Sequence, residues 1–156
     1  MVTHIYLLLH NIRSTHNVGS IFRTADATGV DKIYISGYTP APIDRFGRAR
    51  PDISKASLGA EKTVAWEVVT NQVELIGKLR KEKINIVALE QDKRSIDYRK
   101  IKKENGALII LGNEVDGVEK EILDLCDEIA EIPMLGTKES LNVSVSAGVV
   151  LYSLIN

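Results

Sequence analysis

The sequence predicts a single α/β domain built on a parallel sheet. Short apolar runs such as those at 5–9 and 107–111 recur along the chain with helix-compatible stretches between them, the pattern of strands buried on both faces under covering helices. A length of 156 residues suits one domain and leaves little room for a second. With 44% hydrophobic and 26% charged residues, the chain can bury a core and does not have the composition of a disordered protein.

The elements follow in order. IYLLL at 5–9 is the first expected strand, and a helix is expected over 18–28, with Asn17 as its N-cap and Gly29 as its stop. KIYIS at 32–36 is the second strand. The stretch GYTPAPIDRFGRARP at 37–51 holds three of the four prolines and two glycines, so a long irregular loop is expected there. That loop carries Arg45, Arg48 and Arg50 around Phe46, a mixture suited to phosphate contacts and to stacking one base, or to a solvated loop without function. Further strands are expected at 64–69, 85–89, 107–111 and 128–132, and further helices at 71–83 and 119–125. The segment 142–155 is ambiguous, because its valines and V-S-V-S alternation favour a strand. No internal repeat is visible.

A formal net charge of −1 argues against a protein that coats itself in basic residues to grip nucleic acid. Local imbalance is larger: residues 78–103 hold ten basic side chains against four acidic ones, and 114–131 hold eight acidic ones against Lys120 alone. These are two solvated surfaces of opposite sign, or the first faces RNA. Cys126 is the only cysteine and has no ligand-spaced neighbour, so a reducing, cytoplasmic setting and a buried structural thiol are expected, with no metal. The start MVTHIYLLLH is too short for a membrane span and lacks the features of a signal peptide. No role is assigned to His4, His10 or His16.

Three polar islands adjoin apolar strands, where an α/β sheet normally builds its site. The first, residues 11–23, leaves the first strand and enters a helix whose N-terminal N–H groups can meet an anion. Gly19 there permits close approach of a backbone or ligand, and Arg13 and Arg23 offer forked donors. Alone, it could also be a capped helix with surface arginines. The second, residues 109–117, opens a strand into a glycine-bounded loop carrying Glu114, and the third, residues 132–145, sets Ser140 and Asn142 in another strand-to-loop exit. Dinucleotide and P-loop glycine motifs are absent.

Taken together and in this order, the islands resemble the three signature motifs of the TrmH (SpoU) family of SPOUT RNA 2'-O-ribose methyltransferases. Asn11, Arg13, Asn17, Gly19 and Arg23 match N-x-R-x-x-x-N-x-G-x-x-x-R, Gly112, Asn113, Glu114 and Gly117 match G-N-E-x-x-G, and residues 132–145 match I-P-M-x-G-x-x-x-S-L-N-V-S-V. The resemblance implies a C-terminal deep trefoil knot and a helix over 142–155. It implies S-adenosylmethionine as methyl donor, held mainly by backbone groups of Leu111, Gly112, Asn113, Ile132, Met134 and Leu141. It further implies that Arg23 serves the 2'-hydroxyl near an RNA phosphate, with Asn17, Glu114, Ser140 and Asn142 orienting Arg23 and the ribose. An arginine is an awkward base, so positioning or a proton relay through phosphate is preferred for it. A homodimer through the knot and the C-terminal helix is implied as well.

Residues 1–156 are expected to form a catalytic domain without extension domains, taking RNA through Arg13, the Arg45, Arg48 and Arg50 loop, and the basic stretch 78–103. Structured RNA is the expected partner, tRNA ahead of rRNA. Three rivals stay open: a non-catalytic RNA-binding module of the same fold, a SPOUT enzyme that methylates a base, and an unrelated nucleotide-binding α/β domain.

Overall fold

A computed structural model describes residues 3–155 of the chain. Seven strands form one sheet in the order β3-β2-β1-β6-β4-β7-β5, and every neighbouring pair runs parallel. They are β1 (His4–His10), β2 (Lys32–Ser36), β3 (Trp66–Val68), β4 (Asn85–Leu89), β5 (Ile96–Asp97), β6 (Gly106–Leu111) and β7 (Glu128–Glu131). The helices are α1 (Thr15–Thr28), α2 (Pro51–Ser57), α3 (Gln72–Lys81), α4 (Lys120–Leu123) and α5 (Val143–Leu154).

Alternation along the strands divides the core into two layers. Leu7 and Leu9 of β1 pack with Ile21 and Phe22 of α1, Ile53 of α2 and Val150 and Leu151 of α5. Leu8 points the other way, toward Leu75, Ile76 and Leu79 of α3 and Ile122 and Leu123 of α4. All six residues of β6 are buried, and each large apolar side chain so covered contributes about 1.5–3 kcal/mol.

Several local expectations shift. α1 begins at Thr15 because Ser14, not Asn17, is its N-cap: the Ser14 hydroxyl accepts from the Asn17 N–H at 3.1 Å. Gly29 ends the helix in the left-handed conformation, as expected. β3 is shorter than 64–69 because a 3-10 turn over Ala60–Lys62 takes the Val64 N–H onto the Ala60 carbonyl. The proline-rich stretch is less irregular than expected. Ile43 and Ala49 pair as an isolated antiparallel bridge, and Pro51 opens α2 with Asp52 in its first turn, a helix start that proline at this position favours.

The segment 142–155 resolves as a helix. Its buried residues Ala147, Val150, Leu151 and Leu154 repeat at helical spacing, and they belong to the core that α1 also covers. Burial of that stripe overrides the strand preference of the valines. Among the described residues no helix is long and apolar enough to cross a membrane. The Cys126 thiol donates to the Ile122 carbonyl at 3.2 Å, and burial pushes its pKa up to about 11, which fits an inert structural cysteine.

Gly19 is where α1 and α2 touch backbone to backbone. A Cβ there would lie 2.6 Å from both the Ile53 carbonyl oxygen and the Ala56 Cβ, so the approach admits no side chain. Gly19→Ala is expected to force the helices apart and cost about 2 kcal/mol, read as a lower urea midpoint with an unchanged slope.

Candidate active site

In a parallel sheet the carboxyl ends of all strands share one edge, and a site forms there where the winding reverses. Here the reversal lies at β1 and β6. The loop after β1 carries the first motif, that after β6 the second and that after β7 the third, so the sheet brings the three islands to one edge.

The second motif is a closed turn. The N–H of Asn113 donates to the Gly117 carbonyl at 3.1 Å, and the N–H of Gly117 donates back at 2.9 Å. The Asn113 side chain is fully engaged: its oxygen accepts from the N–H groups of Val115 and Asp116, and its amide donates to the Asn11 carbonyl at 3.1 Å and to the Tyr38 hydroxyl at 2.8 Å. Gly112 is required by proximity, since a Cβ there would lie 2.5 Å from the Gly117 carbonyl group.

Glu114 leaves this turn and docks on the start of α1. Its carboxylate accepts from the N–H of Arg13 at 3.0 Å, the N–H of Ser14 at 2.9 Å and the Asn17 amide at 3.1 Å. Partial burial works against ionisation, but these donors outweigh it and hold the Glu114 carboxyl below its ordinary range. The carboxylate also neutralises the positive end of the helix. Glu114 is therefore a poor proton acceptor and a strong positioner.

Asn11 knits the same edge together from a left-handed backbone, φ 59°, which asparagine tolerates better than most residues. Its amide donates to Glu119 at 3.0 Å and its oxygen accepts from the Tyr38 N–H at 3.2 Å. Glu119 also meets buried His10 at 3.0 Å, whose other ring nitrogen lies 2.7 Å from the Ser36 hydroxyl. Tyr38 carried no role in the sequence reading, yet it touches Asn113 and lies under the Arg13 guanidinium, 5.4 Å from the ring centroid.

A cavity of about 520 Å³ opens between the second and third motifs. Leu111, Gly112, Asn113, Ile132, Met134 and Leu141, the six residues expected to hold the donor, all line it, as do Glu114, Ser140 and Asn142. A second cleft adjoins it, formed by Arg13, Ser14, Asn17, Glu114 and Asn142 among others. Asn113, Glu114, Val115, Asp116 and Asn142 line both. Asn142 caps α5 with its oxygen, which accepts from the Ser144 N–H at 2.9 Å and from its hydroxyl at 2.6 Å.

The cavity suits a cationic ligand with an apolar portion. The acidic residues Glu90, Glu114, Asp116, Glu131 and Glu139 line it without a lysine or arginine, beside apolar Leu89, Leu111, Ile132, Met134 and Leu141. Among the described residues no group of His, Cys, Asp and Glu is placed to hold a metal ion.

Arg23 is not brought to the cavity by its own chain. It is exposed on α1, lines neither cleft, and its neighbour Thr24 faces Gly148 of α5. Of the loop arginines, Arg45 and Arg48 flank Phe46, 4.9 and 5.0 Å from its ring centroid, and Phe46 is 67% exposed. Arg50 is half-buried instead, with its Nε enclosed. The basic stretch 78–103 is no uniform patch: Arg80 pairs with Asp127, Arg94 with Asp92 and Asp124, and Arg99 with Asp97.

The family model of the SpoU rRNA Methylase family matches residues 4–152. The 23S rRNA (guanosine-2'-O-)-methyltransferase RlmB of Neisseria meningitidis serogroup B is 37% identical over 147 residues, which cover 94% of this chain and 56% of that protein. The chain thus spans little more than half the length of that relative. Among solved structures, the A. aeolicus TrmH/SpoU tRNA modifying enzyme superposes with a TM-score of 0.85 at 29% identity, over 99% of this chain and 75% of the other. The AdoMet-bound rRNA methyltransferase from Sinorhizobium meliloti gives 0.83 at 27% identity, over 97% and 55%.

Glu114→Gln keeps the shape and removes the charge that caps α1. A group whose folded pKa is depressed stabilises above its unfolded pKa, and that contribution is lost as pH falls through the folded value. Urea titrations should find the variant weaker by about 1 kcal/mol near neutrality, a figure reduced for solvent screening. The gap should close as pH falls below about 4. A gap independent of pH would remove the charge from the account.

Proposed function

We propose, for a chain that belongs to the SpoU rRNA methylase family, transfer of a methyl group from S-adenosylmethionine to a ribose 2'-hydroxyl of structured RNA. The observation that carries it is the shared wall: a donor-sized, acid-lined cavity communicates through Asn113, Glu114 and Asn142 with a cleft at the start of α1. The donor supplies an electrophilic methyl on a sulfonium. Leu111, Gly112, Asn113, Ile132, Met134 and Leu141 would hold it, the apolar side chains against its adenine and the carboxylates near its positive charges.

Asn142, on the wall shared with the adjoining cleft, and Ser140, on the donor side of that wall, orient the ribose, while Glu114 and Asn17 fix the helix end that shapes the cleft. The hydroxyl must be held in line with the methyl carbon and lose its proton as the new C–O bond forms. Arg23 binds the neighbouring phosphate, and the proton leaves by way of that phosphate. Because Arg23 stands outside its own chain's cavity, a second copy delivers it. Exposed Val145 and Tyr152 of α5, 51% exposed each, lie seven positions apart on one helix face and supply the apolar contact for that homodimer. The knotted threading of the C-terminal part belongs to the same proposal.

On the RNA side, the hairpin tip of Phe46 with Arg45 and Arg48 takes a nucleotide beside the target, with Arg13 on a phosphate. Asp44 stiffens that hairpin, accepting from the N–H groups of Phe46 at 2.8 Å and Arg48 at 3.0 Å and from Arg48 Nε at 3.1 Å. Named relatives act on rRNA and on tRNA, so both classes enter the assay, tRNA first.

Labelled methyl transfer from S-adenosylmethionine to unmodified bulk tRNA and rRNA, followed by nucleoside analysis, should yield a 2'-O-methylnucleoside. A methylated base would overturn the ribose assignment, and donor binding without transfer would favour an RNA-binding module. Arg23→Ala and Asn142→Ala should each abolish transfer alone and recover it when mixed and refolded together, because one site of the mixed dimer then carries both residues. No recovery would place Arg23 in its own chain's site. Phe46→Ala should weaken RNA binding about tenfold in a filter-binding assay while donor affinity stays unchanged.

A further inference from the structure

Three features that the motifs do not account for stand out: the buried His10–Glu119 pair, the stack of Arg13 on Tyr38, and the dipeptide Glu90-Gln91 at the end of β4. The first two fasten loops already described. The third has a purpose of its own, set by the sheet order. β4 lies between β6 and β7, the two strands whose following loops carry the second and third motifs. Whatever leaves the carboxyl end of β4 therefore emerges between the two walls of the donor cavity.

Glu90 and Gln91 reach one to each side. Glu90 continues the ladder to β7 through its N–H, which donates to the Ala130 carbonyl at 2.9 Å. Its carboxylate turns the other way: one oxygen accepts from the Val118 N–H at 2.9 Å, at the end of the second-motif turn, and the other accepts from the Gln91 N–H at 3.0 Å. The Gln91 side-chain amide then donates to the Glu139 carbonyl in the third motif at 2.6 Å. Both residues line the cavity.

Gly117 bears the imprint of this contact. It has φ 72°, and a Cβ there would lie 2.0 Å from Glu90 Oε2, so the glycine of the motif leaves room for the Glu90 carboxylate as well as making the turn.

We propose that Glu90 and Gln91 are positioning residues for the methyl donor, a clamp that fixes the spacing of the second-motif and third-motif walls. The proposal rests on the donor reading of the cavity. A ligand gripped between two loops is bound with an affinity that depends on how rigidly those loops are spaced beforehand.

The test is calorimetric binding of S-adenosylmethionine to the full chain, with Glu90→Ala, Glu90→Gln, Gln91→Ala and the near-isosteric Gln91→Glu. Gln91→Glu replaces the amide donor facing the Glu139 carbonyl by an acceptor and should weaken donor binding about as much as Gln91→Ala. Glu90→Ala should raise the dissociation constant about tenfold, and Glu90→Gln, which keeps one acceptor, by about threefold. In the transfer assay the effect should fall on KM for the donor, with kcat at saturating donor and KM for RNA nearly unchanged. A residue with a merely structural role would lower the melting temperature and kcat without that split.

If the wild-type chain binds S-adenosylmethionine and all four variants bind it equally well, the clamp is overturned and the donor reading stands. If the wild-type chain binds none, the donor reading falls and takes the clamp with it.

Discussion

The strand β6 has nowhere to go but into a turn. It is buried throughout, lies between β1 and β4, and is parallel to both, so the chain must leave the sheet at its carboxyl end. It does so through Gly112, packed against the Gly117 carbonyl too tightly for any side chain. That closed turn directs Glu114 at the N–H groups of Arg13 and Ser14, which lead into α1. Once the carboxylate is there, Ser14 can cap the helix, Asn17 is fixed, and the cleft between α1 and the second motif has its shape. The donor cavity on the other side of the same turn inherits its wall from one strand exit.

This arrangement decides how the charges are used. A carboxylate that lines both clefts, as Glu114 does, suggests a general base. Three donors on it lower its pKa, and a base stabilised in its ionised form has little drive to take a proton. Its interaction energy goes into holding the helix end. The chain is left with an acidic cavity and a motif arginine that stands elsewhere on its surface, the separation on which the proposed homodimer rests.

Six of the seven strands were legible, because a parallel sheet covered on both faces makes its strands apolar runs, while β5, two residues long, left no such run. Boundaries failed where a polar side chain chose between two local bonds: Asn17 was a plausible cap, but Ser14 takes that role while Asn17 bonds Glu114, a partner 97 residues away. α2 had a readable start in Pro51 and Asp52 that the density of prolines before it obscured. α5 was ambiguous because its helical stripe begins at Ala147, after the V-S-V-S alternation. Of the site, the motif residues were visible as glycine and amide clusters beside strands. Tyr38, Glu90 and Gln91 were not, since Tyr38 meets the Asn113 side chain and Glu90 and Gln91 meet backbone groups of loops distant in sequence, and nothing in the local pattern marks such bonds.

Net charge was the least informative quantity, because sheet topology sorts cations by edge. The loop after β2, with Arg45 and Arg48, leaves the carboxyl edge of the sheet, as does Arg13 after β1. Lys78, Lys81 and Lys83 lead from α3 into the start of β4, and Lys102 and Lys103 lead toward the start of β6, so these lysines belong to the opposite edge from the donor cavity. The arginines between them are consumed by Asp92, Asp97, Asp124 and Asp127. A count along the sequence makes residues 78–103 the most basic surface, yet strand direction assigns much of that charge to the wrong side and ion pairing cancels more of it. Arg13, Arg45 and Arg48 are forked cations stacked on exposed aromatic rings, the first on Tyr38 and the other two on Phe46. If these arginines serve the RNA as proposed, that composition suits contacts to an unpaired stretch of it better than indiscriminate attraction to its backbone.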